Sequence, residues 1–462
     1  MIVMKFGGTS IHDKDAVLRV IDIIKDRILE SRNILVVVSA MGKVTNKLTE
    51  AAEASAAGSK RNTASLLKDL RLYHTDILKK VCPDKNIFNK ALKKILKEFS
   101  RAEKYLAPGG KVFGKKHLTP LACDYVISSG EKLSSIIVHA ALNSNNLKTK
   151  LVNAAEFMIT DDNYSKANPL FNIVYDRIKN KLEPHFLKYS LVLTQGFIAR
   201  TDKGIPSTIG REGSDCTATI IGNGLSAERI EIWTDVNGVM TADPRVVKGA
   251  GNIPVVSYDD MALLSSCGAK VIHPDTIAPA KSKNIPIYVL NSYNKNDKGT
   301  VINCRRKDKS CVNDIIAVTG RFGLFLAAFK DTGPEGLDNF VDAFLLASRK
   351  HKIAVDQVAV NKTRVAISAK VHYDRLKNIV GEFNRSNELM LHANKALIYI
   401  IGRNIVYTGM LRSLIDKLVE EGKLDIWDIT KSRIALLADN CIAEGLINYL
   451  HNELMEKKTA KA

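Results

Sequence analysis

Lys5 closes a short apolar run, Met1 to Met4, and is followed by Phe6 and the pair Gly7-Gly8. A strand that ends on a cation and then loses its side chains brings an ammonium group and free backbone amides to one place, which suits phosphate. The same residues also make an ordinary strand-to-helix turn, with Thr9, Ser10 or Asp13 capping a helix over Asp15 to Leu29. Five later stretches carry reactive or ligand-binding side chains next to turns. "VSAMGKVTNKL" offers the Thr45 hydroxyl, and "SSGEKLSS" places Glu131 near the expected start of a helix, where capping is the competing explanation. "TIGREGSDCTA" supplies Arg211, Ser214 and Asp215 around glycines, "IWTDVNGVMTADPR" supplies Thr234, Asp235, Asp243 and Arg245, and "SCGAKVIHP" supplies Lys270. Each follows or opens an element, and open parallel sheets bind ligands at such strand ends.

One near-motif is set aside. "GGKVFGKK", Gly109 to Lys116, fits a phosphate-binding P-loop except that Lys116 stands where a hydroxyl should hold magnesium. It follows a helical stretch rather than a buried strand and reads as a solvated loop.

The elements that must position these groups alternate. Candidate strands lie at Met1 to Phe6, Asn33 to Ser39, Thr149 to Val152, Leu191 to Gln195, Arg229 to Thr234 and Ile285 to Leu290, with helical patterns between them. This is an α/β pattern, a mainly parallel sheet wrapped by helices. The lysine-rich helical stretch Ala64 to Tyr105 is expected to be a surface excursion. "SYNKNDKGTVINCRRKDKSC" is polar and basic, so it is expected to be a linker. From Ile315 onward the rhythm changes to short strands and amphipathic helices, which fit two small α+β units. The first runs from "IIAVTG" and "LFLAAF" through "VDQVAV" and "RVAISA"; the second holds "ALIYIIG", "IWDIT" and "RIALLAD". Neither clusters catalytic residue types.

The 462 residues suit two to four domains at about 150 residues each, with 45% hydrophobic and 25% charged positions. The apolar runs fall short of the ~20 residues that span a bilayer, and no secretory signal is apparent, so a cytoplasmic protein with no membrane role is expected. Seven widely spaced cysteines without a C-x-x-C pair favour reduced thiols over disulfides or zinc. The net charge of +19 is spread along the chain without aromatic interleaving, which argues against a nucleic-acid partner and favours anionic small substrates.

Taken together, "KFGGTS", "SGEKLS", "GREGSD", "WTDVNGV", "ADPR" and "GAKVIHP" resemble, in order and spacing, the aspartokinases of the amino-acid kinase family. The tail is similar to that family's paired ACT modules, which are ferredoxin-like in fold. The resemblance implies a catalytic domain at 1-292, a linker at 293-313 and ACT-like modules at 314-390 and 391-462. It implies ATP-dependent phosphorylation of the L-aspartate side-chain carboxylate, the first step toward lysine, threonine, methionine and diaminopimelate. Lys5, Asp215 and Lys270 would be catalytic, with Lys5 and the Gly7 and Gly8 amides on the transferring phosphoryl group. Thr45, Glu131, Arg211 and Ser214 would hold aspartate: Arg211 grips its α-carboxylate and Glu131 faces its ammonium group. Thr234, Asp235, Met240, Arg245, Lys270 and Val271 would contact ATP, and Mg2+ would ride on the ATP phosphates with few protein ligands of its own.

Two departures from the family pattern stand out. Met240 replaces a frequent tyrosine beside the nucleotide, and Glu212 occupies a position that is usually glycine, so a positive φ there would strain the backbone. In the regulatory region Asp356 is kept, but Asn361 and Lys362 stand where lysine-inhibited relatives carry a serine and a glutamate. Like-charge repulsion from Lys362 would weaken lysine binding, leaving threonine or a combined effector if feedback exists. ACT-like modules bury sheet edges side by side, so a homodimer or dimer of dimers through the C-terminal modules is expected. The alternatives are another phosphotransferase of the same family and a catalytically silent amino-acid sensor. A fused homoserine dehydrogenase is not expected, because no G-x-G-x-x-G unit follows the ACT-like region.

Overall fold

The computed structural model describes residues 1–107, 113–114, 117–210, 212–269, 271–304, 314–329, 342, 345–351, 355–361, 364–369, 389–407 and 409–456. The chain divides into two compact units. The first comprises Met1–Val239, Asn252–Ala262 and Val271–Arg305; the second comprises Met240–Gly251, Leu263–Lys270 and Arg306–Ala462.

The first unit is built on an eight-stranded sheet, in the order Val255–Ser257, Thr300–Asn303, Ile287–Asn291, Arg229–Thr234, Ile2–Phe6, Ile34–Val38, Leu191–Gln195 and Thr149–Leu151. All neighbours are parallel except Ile287–Asn291 with Thr300–Asn303. The central strands are buried along almost their whole length, as strands covered on both faces are, and Ile34–Val38 is apolar throughout. The six expected strands therefore fall close to their observed places. The first helix is Lys14–Glu30, and of the three cap candidates Asp13 takes the role, its Oδ1 accepting from the Ala16 amide at 2.8 Å.

Two expectations are corrected here. The lysine-rich stretch is two helices, Lys60–Val81 and Lys85–Leu106, and it is no surface excursion: Leu67, Leu70, Ile77, Leu78, Ile95 and Phe99 are buried in the main core. Its lysines occupy the outward faces and dominate the composition, which hides the apolar stripe. Pro83 separates the helices and Asp84 caps the second, accepting from the Asn86 and Ile87 amides at 2.8 and 2.9 Å. The stretch expected to be a linker contains the strand Thr300–Asn303, whose Thr300 and Ile302 are fully buried. Two apolar residues among polar ones are too weak a signal to read. Residues 305–313 lie outside the described residues.

In the second unit an antiparallel sheet runs in the order Asp314–Phe329, Leu389–Arg403, Arg433–Asp439, Leu424–Ile429. The helices Gly409–Glu420 and Asn440–His451 pack on it through Leu411, Ile415, Leu446 and Ile447 against Ile398, Ile400 and Leu436. This is a ferredoxin-like α+β sheet with one difference from the sequential reading. "IIAVTG", assigned to the first small module, pairs with "ALIYIIG" of the second: Val318 lies opposite Ile400 and Gly320 opposite Ile398. The edge strand of the second sheet therefore comes from an earlier segment. Apolar pattern reveals that a segment is a strand but not which strand it joins. The hairpin Val355–Asn361 with Arg364–Ala369 matches the expected strands and carries Asp356 and Asn361 on its backbone, while Lys362 lies outside the described residues.

A buried polar network ties the first helix to the centre of the large sheet. Glu231, 1% exposed, accepts from Arg27 Nε and Arg229 Nε at 2.8 Å each and from Trp233 Nε1 at 3.0 Å. Removing the carboxylate strands three donors in a region of low dielectric. Glu231→Ala is expected to lower stability by about 3 kcal/mol or more, read as a reduced urea midpoint of the first unit. An unchanged midpoint would show that the network contributes nothing net.

Candidate functional site

The adjacent strands Arg229–Thr234, Ile2–Phe6, Ile34–Val38 and Leu191–Gln195 end on the same edge of the sheet, and the candidate residues of the first unit gather there. Lys5 is 8% exposed, and its Nζ stands 2.6 Å from Asp215 Oδ1, itself on a residue 8% exposed in the first turn of the helix Gly213–Gly224. The sheet end is thereby joined to a helix start by a buried ion pair.

Gly7 and Gly8 do different things. Gly7 has φ −70 and ψ 167, which is extended backbone, and its amide donates to the Trp233 carbonyl at 3.1 Å. Gly8 is needed for close approach: a Cβ there would lie 2.7 Å from the Ala40 carbonyl oxygen and 3.1 Å from that of Gly42. The turn after the first strand is thus pressed against the turn after Ile34–Val38.

Glu131 lies in the middle of the helix Pro120–Ser144, not near a helix start as expected. Thr119 caps that helix and Pro120 opens it, so "LACDYVISS" is already helical and capping cannot explain the carboxylate. Glu131 is 4% exposed, and its Oε1 accepts from the Ala40 amide at 3.1 Å. Gly130 allows this approach, since a Cβ there would stand 2.8 Å from Ala40 Cβ. Oε2 is buried without a hydrogen-bond partner among the described residues. Burial pushes the carboxyl up to about 8, opposed by the Ala40 amide and by the charges of Lys132 and Lys5.

Ser214 is buried beside Gly196, where any Cβ would meet the Ser214 side chain at 2.5 Å. Phe197 follows at φ 66 and donates its amide to Thr217 Oγ1 at 3.1 Å. Sequence reasoning missed Ala40, Gly196 and Thr217, which place the functional groups without bearing chemistry; the only signal was a glycine directly after a strand in "LVLTQGF". Thr45 sits half-buried in the first turn of the helix Val44–Ala56.

On the other flank, Thr234 ends its strand with Oγ1 donating to Asp235 Oδ1 at 3.1 Å, and its carbonyl accepts from the Ser292 amide at 2.8 Å. Asp235 is exposed and Val271 half-buried. Glu212 has φ 54, the positive value that its departure from glycine put in question. Met240 and Arg245 belong to the second unit, where Arg245 is held by Asp243 through Nη2 to Oδ2 at 2.6 Å and Nε to Oδ1 at 3.0 Å. Arg211 and Lys270 lie outside the described residues. No group of three or more His, Cys, Asp or Glu suited to a metal ion occurs among the described residues. None of the helices described is long and apolar enough to cross a membrane.

A buried cation with one compensating carboxylate, beside a second buried carboxylate with a free oxygen, suits a ligand that carries both an ammonium and negative groups. An open parallel sheet with these groups at its carboxyl edge defines an α/β protein of the small-molecule-binding class. Residues 1–291 match the amino acid kinase family, and the chain belongs to it. It is 29% identical over 472 residues to aspartokinase 1, chloroplastic, of Arabidopsis thaliana, covering 98% of this chain and 80% of that one. It is likewise 29% identical over 466 residues to lysine-sensitive aspartokinase 3 of Escherichia coli K12, covering 99% of both. Among solved structures it is similar to E. coli aspartokinase III in complex with aspartate and ADP in the R-state, with TM-score 0.82, 26% identity and coverage of 98% and 99%.

Glu131 makes a pH prediction. Its folded value is raised from 4.5 to about 8, so between those values the folded chain keeps a proton that the unfolded chain releases. The stability this proton represents is complete below the unfolded value and is lost as pH rises toward the folded one. Relative to Glu131→Gln, the ligand-free protein is expected to lose about 1.4 kcal/mol per pH unit across that window. Parallel urea titrations of the two proteins from acid to mildly basic pH check this; coincident pH profiles would place a charged Glu131 in the folded state.

Proposed function

We propose that the chain transfers the γ-phosphoryl group of ATP to the side-chain carboxylate of L-aspartate, giving 4-phospho-L-aspartate. The observation that carries this reading is the buried Lys5–Asp215 pair at the sheet edge, next to the unpartnered oxygen of Glu131. The similarity to aspartokinases over nearly the whole chain supports it.

The attacking carboxylate is already ionised near neutral pH, so no proton has to be removed and Asp215 need not act as a base. What the reaction lacks is charge compensation, since a carboxylate approaches a polyanion. Lys5, held by Asp215 and desolvated by its surroundings, meets the charge of the transferring group with the Gly8 backbone beside it; the Gly7 amide, expected there too, is already given to the Trp233 carbonyl. Glu131 directs Oε2 toward the substrate ammonium, and binding of that cation favours its ionised form. Arg211 would take the α-carboxylate in a paired contact, with Thr45 and Ser214 donating hydrogen bonds. Thr234, Asp235 and Val271, with Met240, Arg245 and Lys270, are assigned to the nucleotide. Mg2+ would arrive on the ATP phosphates. It would lower the negative charge of those phosphates.

We further place the enzyme in the cytoplasm, at the first step of the pathway to lysine, threonine, methionine and diaminopimelate. We assign it a catalytic domain that includes the strand Thr300–Asn303 and a homodimeric or dimer-of-dimers assembly through the residues after Ile315.

Incubation with ATP, Mg2+, aspartate and hydroxylamine is expected to yield aspartyl hydroxamate, while glutamate yields little. Equal turnover of glutamate would overturn the substrate assignment. Lys5→Ala should lower kcat by a factor of hundreds, on the scale of a lost transition-state contact, whereas Arg211→Ala should act mainly through the aspartate KM. In the same assay lysine alone is expected to inhibit weakly or not at all, unlike the lysine-sensitive relative, because Lys362 brings a like charge to the effector region. Half-maximal inhibition at micromolar lysine would contradict that assignment.

A further inference from the structure

Glu212 is a costly residue at its position. It holds φ 54 and ψ 26, a left-handed conformation in which a side chain with a Cβ is strained. It is also the N-cap of the helix Gly213–Gly224, yet its side chain makes no capping bond to its own helix, the use to which an acidic N-cap is usually put. The carboxylate instead reaches across to another element, where Oε2 accepts from the His273 amide at 2.5 Å. His273 is the N-cap of the helix Pro274–Ser282.

The two helices are fastened at their other ends as well. Asn223, 4% exposed near the end of the first helix, donates Nδ2 to the Pro279 carbonyl and to Ser282 Oγ, both at 2.7 Å. Lys283 Nζ donates to the Asn223 carbonyl at 2.7 Å. The helices therefore run side by side with their N-termini together, and Glu212 is the bond that joins those N-termini. One N-terminus carries Ser214 and Asp215, assigned above to aspartate and to Lys5. The segment that enters the other carries Val271, assigned to the nucleotide.

We infer that Glu212 is a positioning residue that couples the aspartate-side turn to the nucleotide-side segment, so that each ligand orders the site for the other. This rests on the kinase reading above. A strained residue whose carboxylate spans two segments is retained for the link it makes, since the local backbone alone would favour glycine.

The test is calorimetric binding of magnesium-ADP with and without saturating L-aspartate. In the unaltered protein aspartate is expected to tighten ADP about fivefold or more. Glu212→Gly and Glu212→Asn both accept the left-handed backbone but cannot reach His273, and each is expected to bind both ligands with the coupling lost. Glu212→Gln keeps an acceptor of the same length and is expected to retain it. Thermal midpoints of the Gly and Asn variants should be no lower than that of the parent, because strain is relieved. Coupling retained in the Gly and Asn variants, or absent from the unaltered protein, overturns the inference, as does a lowered midpoint with intact coupling. Failure of the unaltered protein to bind either ligand would overturn the kinase reading itself.

Discussion

The ion pair between Lys5 and Asp215 is the constraint around which the first unit is arranged. An ammonium buried at the end of a central strand needs a compensating charge, and it finds one because the first turn of the helix Gly213–Gly224 carries Asp215, whose Oδ1 stands 2.6 Å from it. That placement depends in turn on two close backbone approaches. Gly8 lets the first turn press on the Ala40–Gly42 turn, and Gly196 lets the end of its strand press on Ser214. A methyl group at either position would push apart the elements that the pair holds together.

The electrostatics of the site divide into a settled half and an open half. Lys5 and Asp215 compensate each other, whereas Glu131 has one oxygen occupied by the Ala40 amide and one with no partner among the described residues. Burial keeps this second carboxyl protonated toward pH 8, which lowers the cost of leaving it alone. On the proposed reading, the substrate ammonium would supply the missing charge and draw the proton off. In that reading, amino-group recognition and phosphoryl transfer would rest on groups held by neighbouring turns, with the Ala40 amide bonded to Glu131 and its carbonyl close against Gly8.

Much of this was legible in the sequence. A lysine closing an apolar strand before two glycines is a local signal, and Lys5 lies where it was expected; Asp13 likewise caps the first helix as one of three named candidates. Glu131 was singled out as a candidate but misplaced relative to its helix, because the small residues before it carry no marker of a helix already in progress. The buried faces of Lys60–Val81 and Lys85–Leu106 were masked by lysines on their outward sides. The pairing of the strand beginning at Asp314 with Leu389–Arg403 was not readable, because strand partners are chosen by packing across long separations. Gly196 and Ala40 were missed for a related reason: they act through where they let other atoms stand.

The central claim is that the substrate's side-chain carboxylate attacks ATP directly in the space beside Lys5. Its most direct test uses aspartate labelled with oxygen-18 in the side-chain carboxylate, followed by hydroxylamine cleavage of the product. Attack by that carboxylate makes its oxygen the bridge to phosphorus, and cleavage at the carbonyl carbon leaves the oxygen on phosphate. Phosphorus NMR is expected to show inorganic phosphate carrying one labelled oxygen together with aspartyl hydroxamate. Phosphate released without label would contradict the account, since ATP would then have been cleaved by something other than the aspartate carboxylate.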